Sequence, residues 1–178
     1  MMRTRTTRST ATAVLVGAGL LVAGCTGGGE QSPPPPTSEN GLASFDPCAG
    51  VPQEVLQSIG ATEPGEPVDQ GIGEQGCEFS GSELVLAVYK GQSATLEYWE
   101  GQRGNFAVFE PNQVGSRKGI KQITKASSGS GSLCTQVVEA GGGSISVQVN
   151  LDADKVEGND PCAKALEIAQ RIEPKLPK

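Results

Sequence analysis

Histidine is missing altogether from the 178 residues. That removes the commonest general base and the commonest catalytic metal ligand. A Ser-His-Asp hydrolase is therefore excluded, and no G-x-S-x-G elbow is present either. Aromatic residues make up 4% and hydrophobic residues 36% of the chain, too few for a helical bundle or a multi-pass membrane protein. Basic residues number 14 against 20 acidic, a net charge of −6, which argues against a nucleic-acid binder working through a basic face. No apolar run reaches the roughly 20 residues of a spanning helix. What the chain has in quantity is glycine, 25 residues, about twice the ordinary share of roughly 7%.

The first segment reads as an address. Arg3, Arg5 and Arg8 stand in a Thr-rich start without acid, and a small-and-apolar run of thirteen residues follows, Ala11 to Ala23. That length suits a secretory core of about 7–15 residues. The run closes on Leu21-Val22-Ala23-Gly24-Cys25, a sequence that resembles a bacterial lipobox. The resemblance implies cleavage between Gly24 and Cys25, and a Cys25 carrying diacylglyceryl and, often, a third acyl chain such as palmitate. Two or more chains meet the requirement for stable anchoring. Removing residues 1–24 takes away the three arginines and no acid, leaving 11 basic against 20 acidic residues, a net charge of −9. Such a body is repelled by anionic head groups. Thr26 to Ser44, TGGGEQSPPPPTSENGLAS, reads as a linker with a flexible Gly end and a polyproline-II segment. It spans about 25 Å as a coil and roughly 60 Å fully extended. The expected division is a signal peptide over 1–24, the lipidated cysteine and linker over 25–44, and one extracytoplasmic domain over 45–178.

Within the domain, Val51, Val55, Leu56 and Ile59 share a helical stripe, with Pro52 near its start and Gly60 as C-cap. Cys77–Phe79 and Leu84–Tyr89 read as paired strands, the second apolar on both faces, as if covered on each side. Ser93 is the expected N-cap of a helix through Ala94, Leu96, Tyr98 and Trp99. Residues 106–109 and 114–123 are strand candidates. Cys134–Glu139 and Ser144–Leu151 form a hairpin around Ala140-Gly141-Gly142-Gly143. In its second strand Ile145, Val147, Val149 and Leu151 alternate with Ser144, Ser146, Gln148 and Asn150, which predicts one buried and one wet face. Asp160 and Pro161 open a last helix carrying Cys162, Ala165, Leu166, Ala169 and Ile172 on one stripe, ending before Pro174. The fold class is α+β: an antiparallel sheet packed with flanking helices.

Apart from Cys25, the cysteines are Cys48, Cys77, Cys134 and Cys162. An even number in an exported chain implies two disulfides. The spacing has no CxxC pair for zinc. Three pairings are open, and loop-closure entropy separates them too little to choose. Position in the chain favours Cys48–Cys77 and Cys134–Cys162.

Several features coincide: the lipobox, the Pro-rich tether, Asp46-Pro47-Cys48 before an amphipathic helix, Cys77-Glu78-Phe79 on a strand, and the closing Asp160-Pro161-Cys162-Ala163-Lys164-Ala165 helix ending Lys175-Leu176-Pro177. Together they resemble the actinobacterial lipoproteins of the domain of unknown function 3558 family, over about residues 45–177. The resemblance implies an envelope lipoprotein with a disulfide-bonded α+β domain. It implies no activity, and no catalytic residue carries over.

Other patterns point to ordinary structure. Gly71-Ile72-Gly73-Glu74-Gln75-Gly76 satisfies G-x-G-x-x-G, but it precedes a strand instead of following one, so it reads as a loop and not a dinucleotide site. Asp152, Asp154, Glu157 and Asp160 lack the spacing of a calcium loop. Glu78, Glu97 and Glu110 could serve glycoside chemistry only at a separation that nothing in the sequence fixes. Arg117-Lys118 and Lys121, with Lys125 nearby, read as a charged edge that discourages strand pairing, and Tyr98-Trp99 reads as core before ligand platform. The expectation is a membrane-anchored, surface-exposed lipoprotein that is not an enzyme, with a binding or sensor-like domain and no cofactor or metal. Its partners would be the bilayer, through Cys25, and an envelope protein, lipid or wall ligand, with no nucleic acid. The alternative is a carrier of a lipid or other apolar molecule in the space between sheet and helices.

Overall fold

The computed structural model describes residues 41–61, 63–71 and 73–178. Gly24, Cys25, the segment read as a signal peptide and residues 26–40 of the segment read as a linker lie outside them. Among the described residues no helix is long and apolar enough to cross a membrane.

Seven strands form one antiparallel sheet: β1 Glu66–Asp69, β2 Glu74–Ser80, β3 Leu84–Gly91, β4 Phe106–Val114, β5 Arg117–Thr124, β6 Leu133–Ala140 and β7 Gly143–Leu151. Their order across the sheet is β1-β2-β3-β7-β6-β5-β4. Among the described residues three α-helices accompany them: α1 Gln53–Ser58, α2 Leu96–Gly101 and α3 Pro161–Ile172. The expected α+β class is what the structure shows.

The side-chain period of two sorts the sheet into two faces. Register puts Cys77, Val88 and Val147 in one row, with Phe79, Leu86 and Val149 in the next. These are buried together with Val55 and Leu56 of α1 and Ala165, Ile168, Ala169 and Ile172 of α3. The helical stripes forecast from spacing are thus the ones that cover this face. α3 starts as its first residues dictate: the Asp160 side chain accepts from Cys162 N at 2.8 Å, and Pro161 occupies the first turn. Two disulfides staple the face, Cys48–Cys77 from the turn before α1 to β2 and Cys134–Cys162 from β6 to α3. A disulfide closing a loop of this length stabilises by about 3.5 kcal/mol in the chain-entropy description. The one large buried polar side chain here, Gln136, is fully engaged: it exchanges hydrogen bonds with Asn112 at 2.8 and 2.9 Å and donates to Val137 O.

The hairpin falls where alternation and glycine place it. β6 and β7 are joined by Gly141 and Gly142, both at positive φ (53° and 83°), the backbone that a two-residue hairpin turn requires. Leu42 N donates to Gly141 O, and Leu42 itself is buried. Residues 41–44, which read as the end of the linker, therefore belong to the packed body.

Four other expectations are corrected. The segment 114–123 is not one strand; Val114 ends β4, and β5 begins at Arg117 after a tight turn. α2 is capped by Thr95 and not by Ser93, the Thr95 hydroxyl accepting from Tyr98 N at 3.2 Å. The basic run does not guard an edge, because β5 pairs with β4 on one side and β6 on the other. Arg117 instead clamps the C-terminus: it donates to Leu176 O at 2.7 Å and Pro177 O at 2.8 Å and pairs with Glu173 at 3.1 Å. Lys121 pairs across strands with Glu110 at 2.6 Å. Finally, the second face of β7 is not uniformly wet. Ser144 and Ser146 are buried, while Gln148 is half-buried and Asn150 exposed.

Candidate functional site

Those two buried serines lead to the site. Ser144 stands opposite Gly91 of β3, and Gly91 stands opposite Glu74 of β2. The three lie in one row on the face away from α1 and α3. Ser146, one row along, pairs with Tyr89. Above this end of the sheet the turn Gln92–Ala94 leads into α2, which lays Trp99 over the strands. Trp99 Nε1 donates to Ser144 Oγ at 3.0 Å, and Ser144 Oγ donates in turn to Ala94 O. Trp99 also joins a second apolar cluster with Ala94, Phe109, Ile120 and Val137. The pair read as core is therefore divided. Trp99 is core, whereas Tyr98 is the large hydrophobic residue left exposed, at 43%, its ring edge-on to the indole with centroids 5.3 Å apart.

Between the β1–β2 turn and α2 opens a cleft of about 540 Å³. Asp69, Glu74, Gln75, Ser93, Tyr98 and Trp99 are among its lining residues. Gly71 and Gly73 of the G-x-G-x-x-G pattern line it as well, while Glu74 to Gly76 already belong to β2. Glu74 is the cleft's unusual member. It is 5% exposed, and among the described residues it is the only buried carboxyl. Among the described residues no donor completes a full hydrogen bond to its Oε1; the neighbouring Ser146 hydroxyl meets the carboxyl without full hydrogen-bond geometry. Burial pushes the Glu74 carboxyl above its ordinary pKa; the nearby Ser146 hydroxyl pulls it part of the way back. Among the described residues no cation pairs with it. Lys90 also lines the cleft, yet its Nζ donates to Phe45 O at 2.8 Å and to Ala43 O at 3.4 Å on the other side of the sheet. Gly91 makes room for the carboxyl: a Cβ there would lie 3.1 Å from Glu74 Oε1 and 2.6 Å from the Ala94 Cβ.

A desolvated carboxyl with a free oxygen, a hydroxyl beside it and an aromatic ring at the rim can accept and donate hydrogen bonds and hold a small polar ligand. Neither Glu74 nor Ser146 stood out in the sequence. Glu74 was embedded in a glycine pattern, and Ser146 belonged to a face that alternation marked as solvent. The signal lies in strand pairing, which one sequence does not spell out.

The acidic residues before α3 form no such arrangement. Asp160 caps the helix, and no group of three metal-ligating side chains converges among the described residues. Glu110 is tied to Lys121, and the four domain cysteines are spent in disulfides.

The structure thus defines a disulfide-stapled α+β domain with one sheet face filled by helices and a cleft on the other. The model of the family described as "Protein of unknown function (DUF3558)" matches residues 20–175, and the chain belongs to that family. No curated protein and no solved structure matches it.

Proposed function

We propose that the chain is a lipid-anchored envelope lipoprotein of the actinobacterial type, whose domain is a non-enzymatic binding or sensor-like module. Residues 1–24 are removed as a signal peptide, Cys25 is acylated, and the domain stands outside the cytoplasmic membrane on its Gly/Pro-rich tether. The observation that carries this reading is the cysteine pairing. Four of five cysteines close disulfides inside the domain, a chemistry of oxidising compartments, and the fifth ends an apolar run in Leu-Val-Ala-Gly-Cys.

The ligand is taken in the Glu74–Tyr98 cleft. A carrier of apolar cargo finds less support, because the space between the sheet and α1 and α3 is packed with Leu56, Leu86, Ile168 and Ile172. A glycosidase would require a second carboxyl held at a fixed separation from Glu74; the other carboxyl lining the cleft, Asp69, is exposed at the β1 end.

Intact-mass analysis of detergent-extracted protein tests the anchor. The expected mass corresponds to residues 25–178 with two disulfides and a diacylated or triacylated Cys25, and Cys25→Ala abolishes processing. A soluble chain retaining residues 1–24, with an unmodified Cys25, would contradict it.

A further inference from the structure

We propose that the Glu74 cleft is a subsite for a primary ammonium group, carried by a small organic ligand whose apolar part lies against Tyr98. This deepens the binding reading above and rests on it. A buried carboxyl that meets a neutral hydroxyl and no cation is costly to ionise. Glu74 Oε1 completes no hydrogen bond, the neighbouring Ser146 hydroxyl meeting the carboxyl without the geometry of a full one, and an ammonium brings three donors and a positive charge. Among the described residues no side chain supplies that charge, since Lys90 is committed to backbone carbonyls of Ala43 and Phe45. The exposed Tyr98 ring, braced by Trp99, offers the ligand's apolar part a face to lie on. A neutral hydroxyl could satisfy one lone pair, but it would leave the carboxylate charge uncompensated.

Binding is linked to protons. Below its raised pKa Glu74 holds a proton, which the ammonium displaces into solvent as the ion pair forms. Amine affinity therefore rises with pH until Glu74 is ionised in the free protein, then levels off. The titratable groups around it are Asp69 from β1, Tyr89 and Lys90 from β3 and Tyr98 from α2, and β7 presents only Ser144 and Ser146.

The test uses the full chain in detergent micelles, titrated with butylamine and, separately, with butanol, and followed by amide NMR. The expected result is saturable shifts at Glu74, Gly91 and Tyr98 with butylamine, in the roughly millimolar range of so small a ligand, and none with butanol. Glu74→Gln, a near-isostere that keeps the fold, weakens butylamine at least tenfold and removes the pH dependence. Tyr98→Ala, at an exposed position, weakens it severalfold. Equal response to butanol, undiminished binding by Glu74→Gln, or no response to either compound overturns the proposal. If butylamine fails while Tyr98→Ala still abolishes binding of an envelope component, the cleft stands and the ammonium assignment alone falls.

Discussion

The two faces of the sheet solve the same problem of burial in opposite ways. The face under α1 and α3 is filled with aliphatic side chains, crossed by two disulfides, and its large buried polar residue, Gln136, has its partners. The face under α2 buries polar groups that are poorly matched: Glu74 Oε1 and Gln122 Nε2 complete no hydrogen bond, and the Ser146 hydroxyl meets the Glu74 carboxyl without the geometry of a full one. All three belong to that face by register. Buried polar groups are ordinarily satisfied, so the asymmetry is informative. One face is built to hold the fold; the other gives up stability at the place where a ligand would contribute it.

The contrast can be broken residue by residue. Leu86→Ala, on the filled face, is expected to cost about 2–5 kcal/mol, whereas its neighbour Val85, half-buried on the other face, should cost about 1 kcal/mol on the same change. Urea unfolding of both variants checks this, and equal losses would dissolve the distinction. Replacing Cys134 and Cys162 together by serine should cost about 3.5 kcal/mol, measured by the same unfolding curves without reductant.

The opposite sign is expected on the α2 face. Glu74→Gln should raise stability at neutral pH by about 1 kcal/mol, by removing a desolvated charge. The pH dependence follows from the raised pKa. The folded state holds the Glu74 proton more tightly than the unfolded chain, so its contribution is full below the ordinary value near 4.5 and is lost as pH rises through the folded value. Thermal melts across that window should fall with pH in the wild type and lose this component in Glu74→Gln. The smallest effect is expected of Gln122→Leu, which removes the orphaned amide: between no change and a gain of about 1 kcal/mol. A clear loss would mean that Gln122 is engaged after all.

The same division marks what the sequence made legible. Spacing alone located α1, α3 and the β6–β7 hairpin, because Val51, Val55, Leu56, Ile59 and the alternating Ile145–Leu151 set report burial directly through their period. The disulfide pairing followed from where those elements sit along the chain. Alternation, however, reports polarity and not exposure. It assigned Ser144 and Ser146 to water because nothing local records that Trp99, 45 residues before Ser144, comes down on them. Glu74 was hidden for the same reason: its neighbours Gly91 and Ser146 are neighbours only once β2, β3 and β7 are paired. The Arg117 run misled because a charged strand is an edge signal only when no clamp needs the charge, and here the C-terminal carbonyls of Leu176 and Pro177 use it.

The most direct measurement is the titration of the Glu74 carboxyl itself, by carbon-detected NMR of the side chain in the folded protein. The account requires a midpoint clearly above the ordinary carboxylate value, moving downward when an amine binds. A midpoint at or below that value would mean that the carboxyl is already satisfied, and the cleft would lose its reason to hold a ligand.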